Sequence, residues 1–221
     1  AYMRYATTLV QFPLGLVAAA VSFAILPSLS RMSSSGEDES FRRTLAMGLK
    51  VVFLLILPAT IGLALLAHPV IQLLFERREF TAQDTARTAW ALQLYLPGLP
   101  AAAIDQLLLF AFYARRKTLT PNLVQGAAIA CYAITALGLL NITTLGIEAL
   151  ILGNTVQWIA HVLILAWLSR ELVNLRGLGL LSASMKGILA SGIMALFVWP
   201  TAQALQSWGP LAQLLGAGLL G

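Results

Sequence analysis

RYATTLVQFPLGLVAAAVSFAILPSLSR, residues 4–31, carries a charge at each end and none between. An apolar stretch of this length crosses a bilayer, for which roughly 20 residues suffice. Its polar residues are ordered. Arg4, Thr8, Gln11, Gly15 and Ser22 recur at helical spacing and share one face of a helix. Pro13 sits inside the segment. It has no N–H, so the carbonyl of Leu9 loses its usual helical partner and a kink is expected. A spanning helix with a polar face and a freed carbonyl at mid-depth is unsuited to facing lipid all round. Two readings follow. Either that face looks into a wet cavity, or a kinked helix packs it against its neighbours.

The rest of the chain is of the same kind. Of its 221 residues 59% are hydrophobic and only 10% charged, with a mean hydropathy of +0.83. Soluble domains carry about 25% charged residues. A single soluble core cannot absorb this much apolar surface, and the alternation of barrel strands is missing. The class is therefore all-α, a polytopic membrane protein. The net charge of +5 sits at the ends of apolar runs, which makes it a topology signal and gives no footing for a nucleic-acid partner. Cys131 is alone within an apolar run, so neither a disulfide framework nor a metal site follows. No secretory signal opens the sequence. The chain starts without Met and ends inside another apolar run, as a piece of a longer protein would.

Spans are expected at about 5–29, 44–67, 90–114, 120–140, 147–169 and 180–200, with a truncated seventh from 211; together they form one helical lobe. Residues 30–43 read as a flexible polar loop holding the acidic run Glu37-Asp38-Glu39. Pro58 marks a second hinge. Thr81-Ala82-Gln83-Asp84 has the form of a capping box and sets a helix start at Thr81. Pro97, Gly98 and Pro100 break the third span near Tyr95. Residues 201–209 read as a loop with Trp208 at interfacial depth.

With the spans alternating sides, the fourteen Lys and Arg divide unevenly. Arg31, Arg42, Arg43, Lys50, Arg115, Arg116, Lys117, Arg170, Arg176 and Lys186 share one side; Arg4, Arg77, Arg78 and Arg87 share the other. By the positive-inside rule the first helix starts outside and runs inward.

Polar residues within spans need a partner or a function. Asp105 is the sharpest: it reads as part of a proton or cation relay or a substrate contact, or else as a neutral, hydrogen-bonded packing residue. Gln106 beside it is placed to share its partner. Asn154, Gln157 and His161 form one stripe on the fifth span, and Asn122, Gln125, Tyr132 and Thr135 another on the fourth. Such stripes serve chiefly as interhelical hydrogen-bonding glue, about 1 kcal/mol each. Asp105 and His161 are the ion-coupling candidates, although no acid stands near either histidine in sequence. His68 belongs at a helix end. No metalloprotease, nucleophile-elbow or phosphate-loop motif is present, so the sequence carries no enzymatic signature and calls for no cofactor.

Three stretches carry a resemblance. QFPLGLVAAAVSFAILPSLSR (11–31) resembles the signature helix of the MviN/MurJ lipid II flippases, within the multidrug/oligosaccharidyl-lipid/polysaccharide exporter superfamily. VIQLLFERREFTAQDT (70–85) resembles that family's LF-x-x-G-x-F-T segment, and YLPGLPAAAIDQLLLFAFYARRKTLTPN (95–122) its Y-x-x-G-L, FYA and T-x-T-P series. Beyond Leu140 the likeness is confined to GIEAL and the helix spacing.

The resemblance implies the second lobe of a fourteen-helix transporter, helices eight to thirteen and the start of fourteen, with the first lobe as its partner. It also implies a central cavity for an undecaprenyl-pyrophosphate-linked sugar-peptide, in the bacterial cytoplasmic membrane among membrane lipid. Arg4, Thr8, Gln11 and Gly15 would then form the cavity face, with Pro13 and Gly15 permitting bending. The sequence departs from the family's pattern in several places. Thr8 stands where the family has a cavity arginine, with Arg4 one turn earlier on the same face. Phe110 replaces a basic residue, Arg78-Glu79 replace a glycine step, and Ala136 stands where some relatives have a cation-binding asparagine. A polysaccharide or drug exporter of the same superfamily, and a non-transporting membrane scaffold, are the alternatives.

Overall fold

The computed structural model describes residues 2–172 and 179–219. Arg176, assigned above to an exit loop, lies outside them. The described residues form helices and turns, with no strand among them, and six helical units are long and apolar enough to span a membrane.

The first unit runs from Tyr2 to Ser35 without a break. It consists of α1 (Tyr2–Pro13), a π-helical turn (Leu14–Ala19) and α2 (Ala20–Ser35). The expected kink at Pro13 is thus resolved as a widened turn, a usual accommodation where the i→i−4 ladder is interrupted. The widening shifts the helix phase. Its buried residues are Ala6, Val10, Pro13, Ala18, Ser22 and Leu29, with a step of five between Pro13 and Ala18. Ser22 is therefore carried off the polar face and into the core, contrary to the spacing argument, which assumed an unbroken α-helix.

Residues 30–43 are not a loop. The Ser34 and Ser35 hydroxyls donate to the Arg31 carbonyl, and the helix continues to Gly36. Gly36 adopts φ +74°, a left-handed conformation that glycine takes without strain. The Glu37 N–H closes onto the Met32 carbonyl, and α3 (Asp38–Leu65) begins at once. The acidic run heads a helix, where its charge complements the helix dipole. Glu39 pairs with Arg42 and Arg43, and Asp38 with Arg115.

α3 passes through Pro58 as a continuous helix. It buries Phe41, Leu45, Leu49, Val52 and Ile56, spaced three or four apart, against α2 and the third unit. A short α4 (Ala67–Phe75) follows, with His68 exposed at its start.

The third unit is the central post. α5 (Ala82–Tyr95), a 3-10 turn (Leu96–Gly98) and α6 (Leu99–Ala114) form one span, half of which is buried, more than in the other five. Its start is fixed by the capping box: Thr81 N–H donates to Asp84 Oδ2 at 2.8 Å and Asp84 N–H to Thr81 Oγ1 at 3.4 Å. α7 (Leu119–Ile142) and α8 (Ile147–Leu172) form a tightly packed hairpin that lies on α5 and α6 through α8. α9 (Leu180–Ala204) packs on α3 and extends past Pro200 to Ala204, shortening the loop expected at 201–209. α10 (Pro210–Gly218) folds back onto α9 and α4.

The turn Leu96–Gly98 depends on Gly98. A Cβ there would lie 2.7 Å from the Trp158 ring and 3.3 Å from the Thr155 backbone of α8. Gly98→Ala should therefore lower stability by about 1–3 kcal/mol through overpacking, read as a fall in the thermal unfolding midpoint in detergent. A midpoint unchanged from wild type would show that α8 yields at this point.

Candidate functional site

Two polar constellations emerge. The first is at the end of the bundle bearing Arg4. Three contacts fix the start of α1 there. The Tyr2 hydroxyl donates to Asp84 Oδ1 at 3.1 Å, Arg87 donates to the Tyr2 oxygen at 3.3 Å, and the Arg87 guanidinium lies over the Tyr2 ring. Tyr5, Phe75 and Phe80 form an aromatic cluster one turn further along. Anchored on that cluster, Arg4 and Thr8 line a cleft of about 390 Å³ with Tyr5 and Phe75.

Two further clefts adjoin it through shared residues. One, about 540 Å³, is almost wholly apolar and runs between α1, α3 and α4, past Thr8, Phe12, Pro13, Gly62 and Leu74. The other, about 590 Å³, carries Arg77, Arg78 and Glu79. The arrangement is an apolar groove with a basic mouth. Thr8 sits at the junction, its hydroxyl donating to the Arg4 carbonyl at 2.9 Å. Arg4, Thr8, Gln11 and Gly15 are all exposed, on the side of α1 turned away from its buried face. Of these, Arg4 and Thr8 line the clefts described above. Gln11 and Gly15 look outward, and a Cβ on Gly15 would meet nothing within 4 Å.

The second constellation is interior. Asp105 Oδ1 lies 2.8 Å from His161 Nδ1, with the histidine side chain 6% exposed and the aspartate 20%. The other ring nitrogen, Nε2, lies 3.4 Å from the Pro121 carbonyl oxygen of α7. Three helices meet at one imidazole. The acid partner of His161 is thus supplied by α6, 56 positions away in sequence, and Gln106 takes no part among the described contacts.

Of the expected polar stripes, only His161 makes a polar side-chain contact across helices among the described residues. Asn122 is exposed, while Gln125, Asn154 and Gln157 are partly buried, and none makes a side-chain hydrogen bond among the described residues. The interhelical polar tie between α8 and α5 comes instead from Thr155, whose hydroxyl donates to the Leu94 carbonyl at 2.9 Å. That contact was missed because a lone threonine on an apolar face gives no periodic signal.

The described fold is that of an all-helical, multi-pass membrane protein whose spans pack around a broken central helix. A family model for the lipid II flippase MurJ matches residues 1–216, and the chain belongs to that family. A probable lipid II flippase MurJ of Bdellovibrio bacteriovorus is 29% identical over 99% of this chain and 40% of its own length. That of Rickettsia prowazekii is 36% identical over 54% of this chain and 24% of its own. A solved structure of lipid II flippase MurJ in an inward closed conformation superposes with a TM-score of 0.78 at 26% identity, covering 99% of this chain and 44% of that one. The chain thus spans less than half the length of these relatives.

Proposed function

We propose that this lobe works within a lipid II flippase of the bacterial cytoplasmic membrane. It would move an undecaprenyl-pyrophosphate-linked sugar-peptide outward by alternating access against the remaining lobe of the same protein. The lobes of such transporters rock around a site at the membrane midplane. The observation that carries the reading is the placement of Arg4 at the head of an apolar groove. A polyprenyl chain suits the groove, and a pyrophosphate suits a guanidinium, which binds it through paired charge-assisted hydrogen bonds. Thr8 and Gln11 would contact the headgroup from the same exposed face. Gly15, without a side chain, leaves that face open within the π-helical turn.

Arg4 takes over the part of the arginine that the family places at the position of Thr8. Arg4→Ala in the full-length protein should slow lipid II translocation in liposomes by about 10-fold to 150-fold, matching the loss of about 1.5–3 kcal/mol from one charged hydrogen-bonding contact. An unchanged rate would remove Arg4 from the substrate path.

A further inference from the structure

The Asp105–His161 pair shows a mismatch in hydrogen-bonding inventory. Both ring nitrogens of His161 face oxygen acceptors: Nδ1 faces the Asp105 carboxylate and Nε2 the Pro121 carbonyl. A neutral imidazole carries one N–H and cannot serve both. Two fillings satisfy the site. In one, an imidazolium donates to both oxygens. In the other, Nε2–H donates to Pro121 and Asp105 holds a proton on Oδ1 directed at Nδ1. Each contains one proton more than a neutral histidine beside a carboxylate. Without that proton a net negative charge stays inside the bundle, which is costly at membrane depth.

The contact geometry agrees. Oδ1 and Nδ1 are 2.8 Å apart, yet Oδ1 is a buried oxygen that receives no hydrogen bond among the described residues. The other charged groups on the packed helices belong to other positions. Arg115 ends α6 and binds Asp38, while Glu148 and Arg170 lie near the two ends of α8. Asp38, Glu39, Arg42, Arg43 and Lys50 lie on the first half of α3, Arg31 is on α2, and Asp84 and Arg87 are in the opening turns of α5. Of the tyrosines, Tyr95 of α5 packs at a tilt against Trp158, Tyr113 lies near the end of α6 and Tyr132 is on α7. A metal is a poorer fit. No group of three or more His, Cys, Asp or Glu gathers among the described residues, and the imidazole stands between the two available oxygens.

We infer that Asp105 and His161 together form a one-proton binding site that couples proton movement to the transport cycle. The inference rests on the flippase reading for its transport half. On loading, an O–H bond of hydronium breaks and an N–H or O–H bond forms on the pair; release reverses both, with no change in oxidation state. The seam that holds the proton also holds the break in the central helix. Asp105 lies seven residues past Gly98 on α6, and His161 three past Trp158 on α8, and Gly98 packs on Trp158. Loss of the proton charges the pair and loosens α6 from α8, and with it the support of the Leu96–Gly98 turn.

Two measurements on the full-length protein test this separately. The first is infrared difference spectroscopy across a pH jump in detergent. Wild type should show a buried carboxyl or imidazole signal that disappears in Asp105→Asn and shifts in Asp105→Glu. A wild-type spectrum lacking any signal that Asp105→Asn alters would overturn the site. The second is lipid II translocation in liposomes with internal and external pH set independently. A gradient of one unit should change the wild-type rate about tenfold, the equivalent of 1.36 kcal/mol, and change the Asp105→Asn rate by less than twofold. Translocation that ignores the gradient in wild type would overturn the coupling. A protein that titrates at Asp105 but flips nothing would overturn the flippase reading and leave the proton site standing.

Discussion

His161→Leu should destabilise the lobe by about 3–5 kcal/mol, the range for stripping a buried polar pair of one of its two partners. Leucine is close to histidine in volume, so the loss is electrostatic more than steric. It leaves Asp105 Oδ1 with no nearby donor and leaves the Pro121 carbonyl without the ring nitrogen 3.4 Å away. The effect should shrink at acidic pH, because a protonated carboxyl is far cheaper to keep in an apolar interior than a carboxylate. The double variant Asp105→Leu/His161→Leu should recover most of the loss, since apolar pairs often replace buried ion pairs at little cost. The measurement is a double-mutant cycle on thermal or denaturant unfolding in detergent at two pH values. Additive single effects would show that the two side chains do not interact.

Phe41→Ala should cost about 3–5 kcal/mol, the range for removing a large buried aromatic side chain. Phe41 is fully buried near the start of α3, where it packs into the main core. Its ring also carries the Arg115 guanidinium, whose centre lies 4.2 Å from the ring centroid. Arg115 reaches across to Asp38 at 2.6 Å, so one residue ties α3 to the end of α6. A cation held over a ring is worth about 0.5–1 kcal/mol at exposed sites and more when desolvated. Phe41→Leu should therefore recover the larger part of the loss but not the Arg115 contribution. Equal unfolding midpoints for Phe41→Leu and wild type would show that the ring face contributes nothing.

Several features could be read from one dimension because they depend on neighbours along the chain. The capping box at Thr81 needs only residues three apart, and the structure forms both of its hydrogen bonds. The break near Tyr95 follows from two prolines around a glycine, and it appears as the Leu96–Gly98 turn. The serine-rich end of the first unit was misread for a related reason. Serine favours loops when its hydroxyl competes for backbone groups. Here those hydroxyls bond back into the helix, and the chain turns only at Gly36.

The apolar period and the sparse charge were enough to specify a polytopic helical membrane protein, because bilayer thickness and backbone hydrogen bonding leave few alternatives for such a chain. The polar face of Arg4, Thr8 and Gln11 was legible for the same local reason, up to Pro13. Past it, only the folded helix shows the five-residue step that puts Ser22 in the core. Pro13 marks where the hydrogen-bond ladder is interrupted, but whether a kink or a π-helical turn answers it depends on what the helix packs against. The partner of His161 is likewise invisible in sequence. Asp105 and Pro121 reach the imidazole only when α6, α7 and α8 dock, and that docking is set by side-chain packing across helices, the Gly98–Trp158 contact among them.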